Sequence, residues 1–159
     1  MADVTITYLA IDDPAAVRPA GPPRVHAEIE KVDPPDGEVS QWFYAAVGGA
    51  YAWTDRLDDD DATWQAHADR VETWVASVGG QRAGYFELLE EDGNVEIAFF
   101  GLLQPYHGLG LGGHLLTVAL RRGFELAPRV WLHTCTLDGP HALANYEARG
   151  MVPYRTEPA

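Results

Sequence analysis

A mixed α/β fold, with helices and strands sharing one sheet, is predicted by three features of the sequence. A glycine-rich turn, Gly108-Leu109-Gly110-Leu111-Gly112-Gly113, joins an apolar strand to an amphipathic helix, and a second strand follows that helix. Upstream, three strand-like runs are separated only by short turns. A helical crossover makes its two flanking strands parallel, whereas tight turns make neighbours antiparallel, so both pairings are expected together. A single domain over residues 1–159 is expected, because the length suits one core and no linker interrupts it.

Thr5 to Ile11 and Arg24 to Lys31 read as short strands, separated by a loop containing Pro14, Pro19, Pro22 and Pro23. Ser40 is read as the cap of a helix through Val47. The run Asp58-Asp59-Asp60-Asp61 precedes Ala62-Thr63-Trp64-Gln65-Ala66-His67-Ala68, where acid stabilises a helix start, so it reads as a cap. Glu72 to Val78, the turn Gly79-Gly80-Gln81, and Arg82 to Leu89 form a hairpin. A second turn, Glu90 to Gly93, leads into Asn94 to Leu103, so the three strands make a meander, with Gly101 a place for a bulge.

From Gly113 to Leu126, Leu115, Leu116, Val118, Ala119, Leu120 and Phe124 recur at helical spacing, and Pro128 ends the helix. Arg129 to Leu137 is a β-branched and aromatic run of strand length, reached by a right-handed crossover. A turn at Asp138-Gly139-Pro140 precedes a short helix over His141 to Gly150, and Met151 to Thr156 closes the order as a strand.

A helix that begins in glycine presents unpaired amide N–H groups and the positive end of its dipole to whatever lies before it, which is an anion nest. The Walker loop is excluded, since Lys31 is the only lysine in the chain. Gly108-x-Gly110-x-x-Gly113 meets the dinucleotide fingerprint, which makes a dinucleotide-dependent oxidoreductase a lesser alternative. Only His114 to Ala159 follows, too little for the second half of such a site. The frame His107-x-x-Gly110-x-Gly112, the strand ending Leu103-x-Pro105 before it, and Ala142-x-x-x-Tyr146-x-x-x-Gly150 after it occur in one order. From about Gly84 through Tyr154 the chain thereby resembles the GNAT N-acetyltransferase superfamily. His107 stands where that family prefers glutamine or arginine, Met151 replaces a phenylalanine, and Gly139 an asparagine.

The resemblance implies a central, mostly antiparallel sheet with a parallel, splayed strand pair around the cofactor helix. It implies acetyl-coenzyme A as co-substrate, gripped by His107, Gly108, Leu109, Gly110, Leu111, Gly112 and Gly113, with Leu102 and Leu103 pairing to the pantetheine arm. The implied reaction is direct transfer of the acetyl group to a primary amine of a small molecule or peptide. A protonated amine must first lose a proton. Glu96, on the strand leading to the loop, is the expected base, and Glu87 is its substitute and a candidate acceptor contact. Tyr146 is the expected proton donor to the departing thiolate. The acceptor cleft would draw on Trp42, Tyr44, Tyr51, Trp53, Asp55 and Trp64, of which Tyr51, Trp53 and Asp55 suit a cationic or aromatic amine. A non-catalytic acyl-coenzyme A sensor is the other alternative, and a homodimer is compatible with the resemblance.

Composition narrows the classes further. A net charge of −13 repels nucleic acid and draws small cations. No apolar run reaches membrane-spanning length and Met1-Ala2-Asp3-Val4 lacks the basic start of a secretion signal, so a cytoplasmic protein without a membrane partner is expected. Cys135 is the only cysteine and is read as core, with His133 on its face of the strand. The histidines show no metal-ligand spacing, so no metal is expected.

Overall fold

The computed structural model describes residues 3–139 and 141–159. Met1 and Ala2, at the start of the segment read for a secretion signal, and Pro140, in the expected turn, lie outside them. The elements run β1 (Thr5–Ile11), β2 (Glu28–Lys31), α1 (Gly37–Gly48), α2 (Asp61–Arg70), β3 (Glu72–Val78), β4 (Gln81–Glu91), β5 (Asn94–Leu102), α3 (Leu111–Leu126), β6 (Arg129–Cys135), α4 (Ala142–Ala148) and β7 (Val152–Pro158). The strands form a seven-stranded sheet in the order β2-β3-β4-β5-β6-β1-β7. Only β5 and β6 pair in parallel; the other neighbours are antiparallel. The N-terminal strand thus lies between β6 and β7, bonding to both.

Local chemistry sets most of the boundaries, and several depart from expectation. Asp36, not Ser40, caps α1, accepting from the Glu38 amide at 3.0 Å; Ser40 sits one turn inside and turns its hydroxyl to the core. Asp60 caps α2 through the Thr63 amide at 2.8 Å, as the acidic run suggested. Strand β2 starts only at Glu28, because the chain before it lies on the glycine turn, where the Arg24 amide donates to the Leu109 carbonyl at 2.8 Å. Strand β6 stops at Cys135, since Thr136–Asp138 tightens into a 3-10 turn whose Asp138 carboxylate turns back to accept from the Cys135 amide at 3.0 Å.

The two faces of the sheet carry different helices, and alternation along β4 assigns its residues between them. Phe86 and Leu88 meet α3 residues Leu115, Leu116 and Leu120 in the larger core, while Tyr85 joins Val39, Phe43 and Val47 of α1 on the other face. Fully burying each of these leucines contributes about 1.5–3 kcal/mol. The expected bulge falls at Ala98 and not at Gly101: Leu88 pairs with Ile97 but Glu87 pairs with Phe99, leaving Ala98 extra. That extra residue sends Ile97 into the α3 core and Phe99 to the α1 face. Gly101 pairs normally with Tyr85, and its missing Cβ makes room for Val47.

Candidate functional site

Parallel pairing of β5 and β6 lasts for only three residue pairs, Asn94–Arg129, Val95–Val130 and Glu96–Trp131. Beyond them the strands diverge, leaving the β6-facing edge of β5 from Ile97 to Leu102 without a strand beside it. A cavity of about 690 Å³ fills this gap. It is lined by β5 from Ile97 to Leu102, by His107, Gly108, Gly112 and Gly113, by Leu132 and His133 of β6, and by Asn145 and Tyr146 of α4. Tyr51, Trp53, Asp138, Gly139 and His141 border it as well.

The glycine turn has the geometry of an anion nest. Gly108 and Gly110 take left-handed φ angles of 77° and 75°, and Gly110 caps α3 without a side-chain acceptor. The first helical bond runs from His114 N to Gly110 O, so the Leu111, Gly112 and Gly113 amides have no acceptor within the helix. A Cβ on Gly113 would lie 2.7 Å from Arg149 Nη1 and 2.9 Å from Ala20 Cβ. A guanidinium is therefore packed directly against the first turn of α3. Arg24 is also close, its Nη1 3.5 Å from the Gly108 carbonyl.

Among the residues expected to hold a cofactor, Leu102, His107, Gly108, Gly112 and Gly113 line the cavity. Leu103 instead donates its amide to Ala83 O at 2.8 Å, Leu109 gives its carbonyl to Arg24, and Leu111 is buried in the core. His107 Nε2 lies 3.0 Å from the Leu102 carbonyl, which can only accept, so that nitrogen carries the proton. In the neutral ring Nδ1 then has none to offer a phosphate; Arg24 and Arg149 lie beside Gly108 and Gly113, outside the cavity lining.

Tyr146 is buried and lines the cavity, and burial, with Asp138 and then Tyr51 nearby, holds its phenol protonated well above the ordinary tyrosine range. Glu96 borders a smaller cavity with Leu89, Glu91, Asp92, Asn94 and Trp131. Its Oε2 lies 3.8 Å from Nε2 of His133, a residue that does line the main cavity. Desolvation raises its pKa above the usual carboxylate range, against a smaller opposing effect of His133.

Tyr51 and Trp53 line the cavity; Asp55 is exposed outside it. Glu87 is 1% exposed, and its oxygens accept from Ser40 Oγ at 2.6 Å, Thr73 Oγ1 at 2.7 Å and His67 Nε2 at 2.6 Å. Arg56 Nη1 lies 3.0 Å from His67 Nδ1, so Arg56, His67 and Glu87 form a hydrogen-bonded chain, partly buried, against Phe99. Tyr44 and Trp64 are core residues of the same region, and Trp42 is exposed beneath Arg82. Sequence reasoning missed Phe99, His133, Asp138, His141 and Asn145 as cavity residues. Asp138 read only as a turn former, and nothing local marks which way its carboxylate points.

Among the described residues no group of three or more His, Cys, Asp or Glu is arranged to hold a metal ion, and no helix is long and apolar enough to cross a membrane.

Residues 36–151 match the Acetyltransferase (GNAT) family. Among solved structures, a GCN5-related N-acetyltransferase from Kribbella flavida is 22% identical, with a TM-score of 0.65, covering 97% of this chain and 58% of its own. One from Sphaerobacter thermophilus is 16% identical, with a TM-score of 0.69, covering 99% of this chain and 51% of its own. A tandem GNAT protein from the clavulanic acid biosynthesis pathway is 18% identical, with a TM-score of 0.60, and this chain spans 54% of it. These likenesses show the fold, and this chain has a little over half the length of those proteins. No curated protein matches. With the family match covering α1 through α4, and so β3 to β6 and the glycine turn, the chain belongs to the GNAT acetyltransferase family.

Proposed function

We propose that the protein moves an acetyl group from acetyl-coenzyme A directly to a primary amine. The observation that carries this is the cavity in the β5–β6 splay, which has free helix amides at one border and Tyr146 in its lining. The residues fit the co-substrate: the Gly112 and Gly113 amides, with Arg24 and Arg149, suit a pyrophosphate, and the open edge of β5 suits an amide-bearing arm. Bound there, the thioester supplies an activated carbonyl.

Residues of this chain then manage protons. His133 receives the proton of the acceptor ammonium, and Glu96 behind it holds the imidazole and stabilises its charge. The amine nitrogen bonds to the carbonyl carbon, the carbon–sulfur bond breaks with the sulfur taking the electron pair, and the nitrogen's second proton passes to that thiolate, giving the amide and the free thiol. Tyr146 donates a hydrogen bond to that thiolate; its raised pKa keeps the phenol protonated for this task. The acidic chain charge favours approach of a cationic acceptor and disfavours nucleic acid.

The test incubates the protein with acetyl-coenzyme A and a panel of amines, following free thiol. Thiol release that depends on an amine is expected. Thermal protection by NAD or NADP but not coenzyme A would overturn the assignment, and coenzyme A binding without turnover on any amine would leave a sensor.

A further inference from the structure

The border of the cavity away from the glycine turn is built from three segments distant in sequence. Trp53 Nε1 donates to Asp138 Oδ1 at 3.3 Å, and Gly139 packs so closely on Tyr51 that a Cβ there would lie 3.2 Å from its ring. The Trp53 ring centroid is 6.3 Å from that of Tyr51 and 5.5 Å from that of Phe99. The Tyr51 and Trp53 rings therefore meet one carboxylate, with Phe99 against Trp53, and burial followed by Asp138 raises the Tyr51 phenol.

The bonding of Asp138 is uneven. Oδ2 accepts from Thr134 Oγ1 at 2.6 Å and from the Cys135 amide at 3.0 Å, which fixes the carboxylate in place. Among the described residues Oδ1 accepts only the long bond from Trp53, leaving acceptor capacity. Among the described residues lining the cavity Asp138 is the one carboxylate, and neither lysine nor arginine lines it. The charged groups that could face it there are the imidazoles of His107, His133 and His141. A partly buried carboxylate without a fixed counter-ion, set among aromatic faces, is a site for an organic cation.

We propose that Asp138, with Tyr51, Trp53 and Phe99, is the acceptor subsite, and that the acceptor class is a small alkyl- or arylalkyl-ammonium bound as the cation before transfer. The choice of acceptor as the ligand rests on the acyl-transfer reading; the affinity of the subsite for cations does not.

Benzyltrimethylammonium tests it, because the ion has no N–H and cannot react. Calorimetry on the full chain is expected to show binding of this probe, with benzyl alcohol at least tenfold weaker. Asp138→Asn should weaken the cation at least tenfold, leave benzyl alcohol unchanged and keep coenzyme A affinity within threefold; Asp12→Asn on the surface should change none of them. Should Asp138→Asn fail to fold, Tyr51→Leu serves instead and should weaken the cation several-fold with coenzyme A affinity retained. Failure of the wild-type protein to bind the cation, equal affinity for benzyl alcohol, or wild-type cation affinity in Asp138→Asn would each overturn the proposal. A protein that binds the cation but not coenzyme A would sustain the cation subsite and refute the transferase reading.

Discussion

The two borders of the cavity are made of different material. At the glycine turn the working groups are backbone amides and carbonyls from one stretch, Leu102 to Gly113, whose geometry is set by glycines at fixed spacing. At the opposite border they are side chains from three places, Tyr51 and Trp53 after α1, Phe99 on β5 and Asp138 after β6. Backbone sites depend on spacing and so can be recognised in a sequence, whereas side-chain sites exist only once the sheet has brought distant segments together. The same division predicts how substitutions separate: changes at the turn alter affinity for coenzyme A whatever the acceptor, and changes at the aromatic border alter acceptor choice alone.

Tyr146 belongs to neither border, and removing its hydroxyl should have the largest effect. Tyr146→Phe is expected to lower kcat by about 10²-fold, the loss typical of one well-placed donor, with KM for acetyl-coenzyme A unchanged. Near-normal turnover would mean that the tyrosine only fills core beside Phe100, whose ring centroid is 6.1 Å away.

How legible each region was follows from the same physics. The meander, α3 and the parallel β5–β6 pair were readable from periodicity and turn chemistry, and Thr5–Ile11 matched residue for residue. The insertion of β1 between β6 and β7 was not, because pairing Leu9 with Leu132 on one side and Pro153 on the other depends on contacts over a hundred residues apart. The Ala98 bulge is not legible for a related reason: any residue can occupy it, whereas glycine, here Gly101, is the residue that marks a place for one in a sequence. Asp55 is close in sequence to the aromatics and Asp138 reads only as a turn former, yet proximity along the chain does not decide which carboxylate faces a cavity.

The aromatic border also has a support that the turn lacks, the partly buried Arg56–His67–Glu87 chain against Phe99. Ser40→Ala deletes one donor to a carboxylate that is 1% exposed, and should cost about 1–3 kcal/mol in chemical denaturation. If that chain holds α2 and Phe99 in place, KM for the acceptor rises while coenzyme A affinity stays. A parallel loss of both would show that the two borders are not independent.

Glu96 stands a step from the cavity, and Glu96→Gln should lower kcat about tenfold, less than a directly placed base contributes. Because Glu96 must be ionised to support His133, wild-type kcat should rise with pH through its elevated pKa, and the variant should lack that limb. Stability supplies the structural check. Burial raises this carboxyl above its ordinary 4.5, so its contribution is full below that value and is lost as pH rises through the folded pKa. The glutamine variant should not show that decline, and an unchanged rate profile at wild-type kcat would remove Glu96 from the proton path.

The smallest effect should come from Gly108→Ala, which tests the turn as backbone alone. Nothing lies within 4 Å of a Cβ at this position, so no clash contributes, but its φ of 77° is left-handed and costs a non-glycine residue about 1 kcal/mol. The variant's Tm should fall by about 2–4 °C and its coenzyme A affinity by up to about fivefold, with benzyltrimethylammonium binding unchanged. Left-handed strain at Gly108 acts on the geometry of the nest and not on the side chains across the cavity, so an equal loss at both borders would contradict the division between them.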